Sequence, residues 1–288
     1  MRKLAVLGPK GTYCDIAKDK YLKNIKEEFE IEYKPTIIKT AQASSRDTIA
    51  IVPFENMLDG FVLEALDTIC ATNSLIVKQL SLPVDFAFVS MANDIKDVKE
   101  CFVQFKAAGQ CLKFINRYDF RVTKTDSNGL TLEKYLENLK DPQVGAIIPI
   151  HLLDNLEYNI IYKRIADVKG NRTRFVVLKG EREKDLRDVN LDSYINHLIG
   201  KRKKFSASFM ITSEEDKPGI LFQILNSFHE LNINMKSIMS RPLKTHMGEY
   251  KFYIEASFDL DAKNKIIDLL KRLNKNFSTD LLGIYNTK

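Results

Sequence analysis

The sequence predicts an α/β protein followed by a smaller α+β module of βαββαβ order, the ferredoxin-like arrangement. Three observations carry this. Through the first 180 residues, short apolar runs alternate with amphipathic stretches, as expected for crossover connections and a largely parallel sheet. In the last third the period changes to strict two-residue alternation, interrupted by two helical stripes. Between the two lies a segment from Gly180 to Gly200 dense in Arg, Lys, Glu and Asp, which reads as a linker that is helical in part.

Residues 3–7 form a buried first strand, and a helix over 13–25 follows Gly8-Pro9-Lys10-Gly11-Thr12. A polar connecting stretch leads to a second strand over 49–52. Val62, Ala65, Leu66 and Ile69 then fall at i, i+3, i+4 and i+7, one apolar face of a helix over 61–69. Further strands are expected at 75–79, 85–89, 120–123, 144–148 and 175–178, with helices between most of them. In the last third, Phe205, Ala207, Phe209 and Ile211 alternate with Lys204, Ser206, Ser208 and Met210. Asp216 can cap the next helix, Pro218 suits its first turn, and Leu221, Ile224, Leu225 and Phe228 make its stripe. Alternating segments 233–241 and 248–256 follow, the second with Phe252, Ile254 and Ala256 on one face and Lys251, Tyr253 and Glu255 on the other. Ile266, Leu269, Leu270 and Leu273 supply a second helix, and 277–285 closes the module as a strand.

Composition narrows the function. With 288 residues, 44% hydrophobic and 28% charged, the chain can bury roughly three quarters of its unfolded surface in two or three domains. Its longest apolar runs, such as residues 4–7 and 146–148, fall far short of the ~20 residues of a membrane span, and the first is too short for a signal peptide. A cytoplasmic protein with no membrane partner is the expectation. Cys14, Cys70, Cys101 and Cys111 form no CxxC pair, and His151, His197, His229 and His246 are scattered, so no metal site is expected. A net charge of +6 suits a small anionic substrate but is spread too evenly for a nucleic-acid surface. Its one cluster, Lys201-Arg202-Lys203-Lys204, reads as solvated linker.

Three clusters could carry chemistry. Gly8-Pro9-Lys10-Gly11-Thr12 joins a strand to a helix, where free amides could hold a carboxylate or phosphate, although a plain turn would look the same. Val52-Pro53-Phe54-Glu55-Asn56-Met57-Leu58-Asp59-Gly60 follows another strand, where α/β sheets place ligands. Helix capping by Asn56 or Asp59 is its alternative reading. Asn171-Arg172-Thr173-Arg174-Phe175 sets a hydroxyl between two guanidinium groups, suited to a carboxylate clamp beside a hydrogen-bond donor.

In this order, and followed by Lys217-Pro218-Gly219-Ile220-Leu221 and Ser240-Arg241-Pro242-Leu243-Lys244, these clusters resemble bacterial prephenate dehydratase over nearly the whole chain. The resemblance implies a catalytic domain over 1–180, built of two periplasmic-binding-protein-like lobes (1–78 with 165–180, and 79–164). It also implies a linker over 181–203 and a C-terminal ACT domain over 204–288. The implied activity is a cofactor-free lyase converting prephenate to phenylpyruvate, water and carbon dioxide. By the same resemblance Thr173 is the hydroxyl donor, Arg174 orients a carboxylate, Glu55 is a second candidate acid and Asn56 belongs to the catalytic set. Gly11, Thr12, Gln110, Asn171 and Phe175 are the implied substrate contacts. Pro218, Gly219, Ile220, Leu221, Met239, Ser240, Arg241 and Pro242 are the implied site for L-phenylalanine as effector, at an interface of a homodimer or homotetramer.

Departures from the family pattern leave alternatives open. Where relatives carry Ser-His-Pro-Gln before Ala-Gln-Cys, this chain reads Val103-Gln104-Phe105-Lys106-Ala107-Ala108-Gly109-Gln110-Cys111. Small residues after Glu-Asn are replaced by Met57, and the Glu of Glu-Ser-Arg-Pro by Met239. A weakened paralogue that senses a small acid or amino acid, and a dehydratase of arogenate, are the competing readings.

Overall fold

Leu4, Ala5 and Val6 are buried on both sides of the chain, so the first apolar run folds as an interior strand, β1 (Arg2–Leu7). It is followed by α1 (Tyr13–Leu22), β2 (Phe29–Lys34), α2 (Ile37–Gln42), β3 (Thr48–Asn56), β4 (Gly60–Phe61), α3 (Leu63–Ala71) and β5 (Leu75–Pro83). The chain then builds a second sheet from β6 (Phe86–Ser90), β7 (Glu100–Gln104), α4 (Phe105–Gln110), α5 (Leu112–Ile115), β8 (Arg121–Thr125), α6 (Asn128–Glu137), β9 (Val144–Pro149) and β10 (Ile160–Lys163). It returns to the first sheet as β11 (Arg172–Lys179). This computed structural model describes residues 1–23, 25–154, 156–183, 186, 189–200, 204–213, 217–243, 250–259 and 263–286.

Both sheets are mixed, whereas the sequence predicts largely parallel ones. In the first, ordered β5-β11-β3-β1-β2, β1 runs parallel to β2 and β3 but β11 runs against both its neighbours. In the second, ordered β10-β6-β9-β7-β8, β7 is parallel to β8 and β9, while β6 opposes β9 and β10. The reason is topological. Parallel neighbours need a crossover, usually a helix, but β11 enters directly from the second sheet and so runs in reverse. The passage between sheets also comes later than 78, because β5 stays paired to β11 as far as Pro83. β2 was not anticipated, since charged residues alternate along this edge strand, and neither was β7.

The last third follows the expected order. α7 (Leu191–Ile199) precedes β12 (Lys204–Thr212), α8 (Ile220–Glu230), β13 (Asn234–Pro242), β14 (Tyr250–Asp259), α9 (Lys263–Leu273) and β15 (Ser278–Asn286). Its sheet, ordered β13-β14-β12-β15, is antiparallel throughout. α7 lies inside the segment read as linker, yet Ile195, Leu198 and Ile199 are buried with Phe205 and Leu270 and belong to this unit's core. Asp216, Lys201, Arg202, Lys203, Lys244 and His246 lie outside the described residues.

The two parts join edge to edge. β15 meets β5 in parallel at Gly283 and Ile76, so the first sheet and the C-terminal sheet are continuous. Met210, Tyr253, Leu282 and Tyr285 of the C-terminal unit share a core with Ala50, Val52, Phe54, Val176 and Leu178. On its other face the first sheet packs Leu4, Val6, Ile51, Phe175 and Val177 beneath α1. Among the described residues no helix is long and apolar enough to cross a membrane.

Candidate active site

The ends of β3 and β11 are shaped by one extra residue. Val52 pairs with Val176 and Pro53 with Phe175, but the next rungs are Glu55 with Arg174 and Asn56 with Thr173. Phe54 is therefore the surplus residue of a β-bulge, which re-aims the side chains beyond it. Asn56 meets Thr173, and Glu55 meets Arg174 on the opposite face, since consecutive residues of β11 point opposite ways. Asn56 Nδ2 donates to Thr173 Oγ1 at 2.9 Å, and its Oδ1 accepts from the Leu58 and Asp59 amides at 3.0 and 3.2 Å. Because Thr173 Oγ1 accepts here, its own proton is left to serve a third group.

The Gly8–Thr12 turn differs from expectation. Gly11, at φ 85°, donates its amide to Asp15 Oδ2 at 2.9 Å, so a carboxylate from α1 fills the place considered for an anion. Thr12 is the N-cap residue of α1 but its side chain makes no capping bond, and its buried Oγ1 has no hydrogen-bond partner among the described residues. The second sheet's 149–152 segment reaches across to this turn. His151 Nε2 lies 3.2 Å from the Gly11 carbonyl, which can only accept, so Nε2 carries the proton. The His151 ring stands edge-on to Tyr13 at 4.6 Å.

Burial holds the His151 pKa below its usual 6.5. The unfolded chain therefore binds a proton below about pH 6.5 that the folded chain resists, and this contribution to stability falls on acidification. Between about pH 7.5 and 5.5 the melting temperature should drop further for the wild type than for His151→Gln. Parallel curves would remove His151 as the cause.

Gln110 at the end of α4 and Asn171 just before β11 meet side chain to side chain. Asn171 Nδ2 donates to Gln110 Oε1 at 3.1 Å, while the buried Asn171 Oδ1 has no hydrogen-bond partner among the described residues. Leu58 and Asp59, from the loop held by Asn56, face Lys106, Gln110 and Asp167 across a cavity of ≈ 490 Å³. Sequence reasoning did not single out Lys106. Its signal lay in the stretch where a Lys stands in place of the family's Gln.

Other expected residues lie elsewhere. Phe175 is 1% exposed within the core under α1, so it cannot contact a ligand. Arg174 does not reach toward Thr173 but toward the C-terminal unit, between Glu55 and Glu255, because alternation along β11 turns it to that face. Glu55 is likewise drawn to Arg174 and away from the hydroxyl. Val103 is buried in the core of the second sheet, and Met57, 55% exposed, does not crowd the cavity.

Of the residues expected to meet an effector, Gly219 has φ 90° and opens α8. Beside it Pro218 and Leu221 are exposed and Ile220 is buried. Met239 packs into the core shared with the first sheet, and Arg241 donates to both oxygens of Asp67 on α3 at 3.1 and 2.7 Å. Ser240 and Pro242 face outward. No group of His, Cys, Asp or Glu among the described residues could hold a metal ion.

A family model described as prephenate dehydratase matches residues 4–183, the two sheets and both rungs of the Thr173 site. The chain belongs to the prephenate dehydratase family. A prephenate dehydratase of Methanocaldococcus jannaschii is 29% identical over 286 residues, 96% of this chain and 95% of the relative. A crystal structure of the prephenate dehydratase from Staphylococcus aureus is 27% identical with a TM-score of 0.79, covering 99% of this chain and 100% of that one. Another, from Arthrobacter aurescens in complex with L-Phe, shares the fold at 21% identity and a TM-score of 0.74, covering 99% of this chain and 90% of that one. The family match ends before β12, whereas these whole-chain similarities extend across the βαββαβ unit.

Proposed function

We propose that this chain is a prephenate dehydratase, a lyase that converts prephenate to phenylpyruvate, carbon dioxide and water, and that L-phenylalanine held by the C-terminal unit lowers its activity. The observation that carries the reading is the Asn56–Thr173 pair, in which the hydroxyl is fixed as an acceptor and keeps its proton to donate to a third group. In prephenate the ring carboxylate leaves as carbon dioxide. The electrons of that C–C bond enter the ring as the C–O bond to the ring hydroxyl breaks, and the product is aromatic. Aromatisation supplies the driving force, so the protein must orient the dianion and stabilise the hydroxide as it departs. Thr173 is too weak an acid to give up its proton at neutral pH. It hydrogen-bonds the departing oxygen, which leaves as water with a proton from solvent.

The dianion also needs positive charge. With Arg174 turned away, Lys106 on the cavity wall is the cation for one carboxylate. Thr12 Oγ1 and the Asn171–Gln110 pair supply further polar contacts. Sheet membership supports a catalytic domain extending through β11 and a C-terminal domain that starts with α7 and corresponds to an ACT domain. The effector reading rests on family resemblance around Gly219–Leu221 and Ser240–Pro242, with a homodimer sharing that surface in the cytoplasm. Expression of this chain should restore growth of a phenylalanine auxotroph lacking its own dehydratase. Soluble expression without growth would favour the sensor reading.

A further inference from the structure

Arg174 ties the catalytic strand pair to the C-terminal unit. Its Nη2 lies 2.8 Å from Glu55 Oε2 on β3, and its Nη1 lies 2.6 Å from Glu255 Oε2 on β14. The Arg174 and Glu255 side chains are 17% and 3% exposed, a setting that tolerates charge only when it is matched. The guanidinium lies over the Phe54 ring at 5.3 Å and the Phe61 ring at 5.9 Å, and both rings stand edge-on to Tyr253. The Tyr253 hydroxyl donates to Glu255 Oε2 at 3.3 Å, and Tyr253 and Tyr285 share Ser208 Oγ at 2.9 and 2.5 Å. Burial pushes both tyrosine pKa values up, so they remain hydroxyl donors.

We infer that Glu255, outside the catalytic domain, is a positioning residue for the reaction, holding Arg174 so that the bulged end of β3 presents Asn56 to Thr173. The inference rests on the role proposed for Thr173. The Arg174–Glu55 and Thr173–Asn56 rungs are consecutive, so the guanidinium that fixes one fixes its neighbour. Arg174 is held from both sides, by Glu55 of its own sheet and Glu255 of the next. Without the second charge it keeps the Glu55 carboxylate at the strand end and a long hydrogen bond from Nη1 to Gln79 Oε1 at 3.4 Å, neither of which draws it toward β14, and the hydroxyl loses its orientation.

The test uses the full chain. Glu255→Gln keeps the shape but removes the charge, and should lower kcat on the order of 10-fold with KM within about 2-fold. In a Thr173→Ala background the same substitution should cost less than about 2-fold, because Glu255 acts through that hydroxyl. A purely structural role would lower activity in both backgrounds. Should Glu255→Gln fail to fold, Tyr253→Phe removes a hydrogen bond to the same carboxylate while keeping the ring, and should show a smaller loss with the same dependence on Thr173. An active wild type with kcat unchanged in the folded variant, or a loss that persists without Thr173, overturns the inference alone. An inactive wild type overturns the functional reading and the inference with it.

Discussion

Thr173→Ala should lower kcat on the order of 10²- to 10³-fold, the loss found when one preorganised donor to a departing or developing oxyanion is removed. The fold should survive, because among the described residues the hydroxyl's one side-chain partner is the Asn56 amide, which sits at the half-exposed end of the sheet and can turn to water. KM should change little, since the hydrogen bond strengthens only as the C–O bond breaks. Thr173→Ser keeps the donor and should retain most of the activity. Circular dichroism and melting curves on the same preparations separate loss of chemistry from loss of fold. Wild-type turnover in Thr173→Ala would remove this hydroxyl from the mechanism.

The second large effect concerns stability. Gly283 lies where β15 meets β5, and a Cβ there would fall 2.8 Å from Ile76 Cβ and closer still to the Ile76 carbonyl oxygen. Backbone cannot rotate out of the way as a side chain can. Gly283→Ala therefore forces the two sheets apart, at a cost of about 1–3 kcal/mol or more. Gly145 offers the comparison, since its Cβ would meet the buried Phe88 ring at 2.5 Å and the Val89 carbonyl oxygen at 3.1 Å, so the tightest obstruction there is a side chain and not backbone. Thermal unfolding should place Gly283→Ala below Gly145→Ala, and both below wild type. An unchanged melting temperature for Gly283→Ala would mean that the close approach of β15 and β5 is not maintained.

Period and punctuation made most of this architecture legible. Val62, Ala65, Leu66 and Ile69 announced α3, and the alternation from Phe205 to Ile211 announced β12, although Ser206, Ser208 and Met210 on its second face are buried as well. Strand direction was not legible. Whether β11 runs with or against β3 depends on the route by which the chain returns, and no local pattern records it. β2 was hidden because Glu30, Glu32 and Lys34 alternate along an edge that needs little apolar surface.

The site was legible in type and misleading in geometry. Asn56 and Thr173 were singled out from separate motifs and stand in hydrogen-bond contact. Arg174 and Phe175 were singled out in the same stretch, yet one faces the C-terminal unit and the other the core, as alternation along a strand requires. The bulge at Phe54 decides which residues of β3 share a face with Thr173, and a bulge has no fixed sequence signature. Glu255 was placed on the second face of β14 without an assigned role. That face is covered by the first sheet, which the alternation alone could not reveal.

The most direct measurement is phenylpyruvate formation from prephenate by the purified chain, followed by absorbance in base with and without millimolar L-phenylalanine. Turnover should depend on Thr173 and be suppressed by L-phenylalanine. Folded protein that forms no phenylpyruvate would contradict the proposed function.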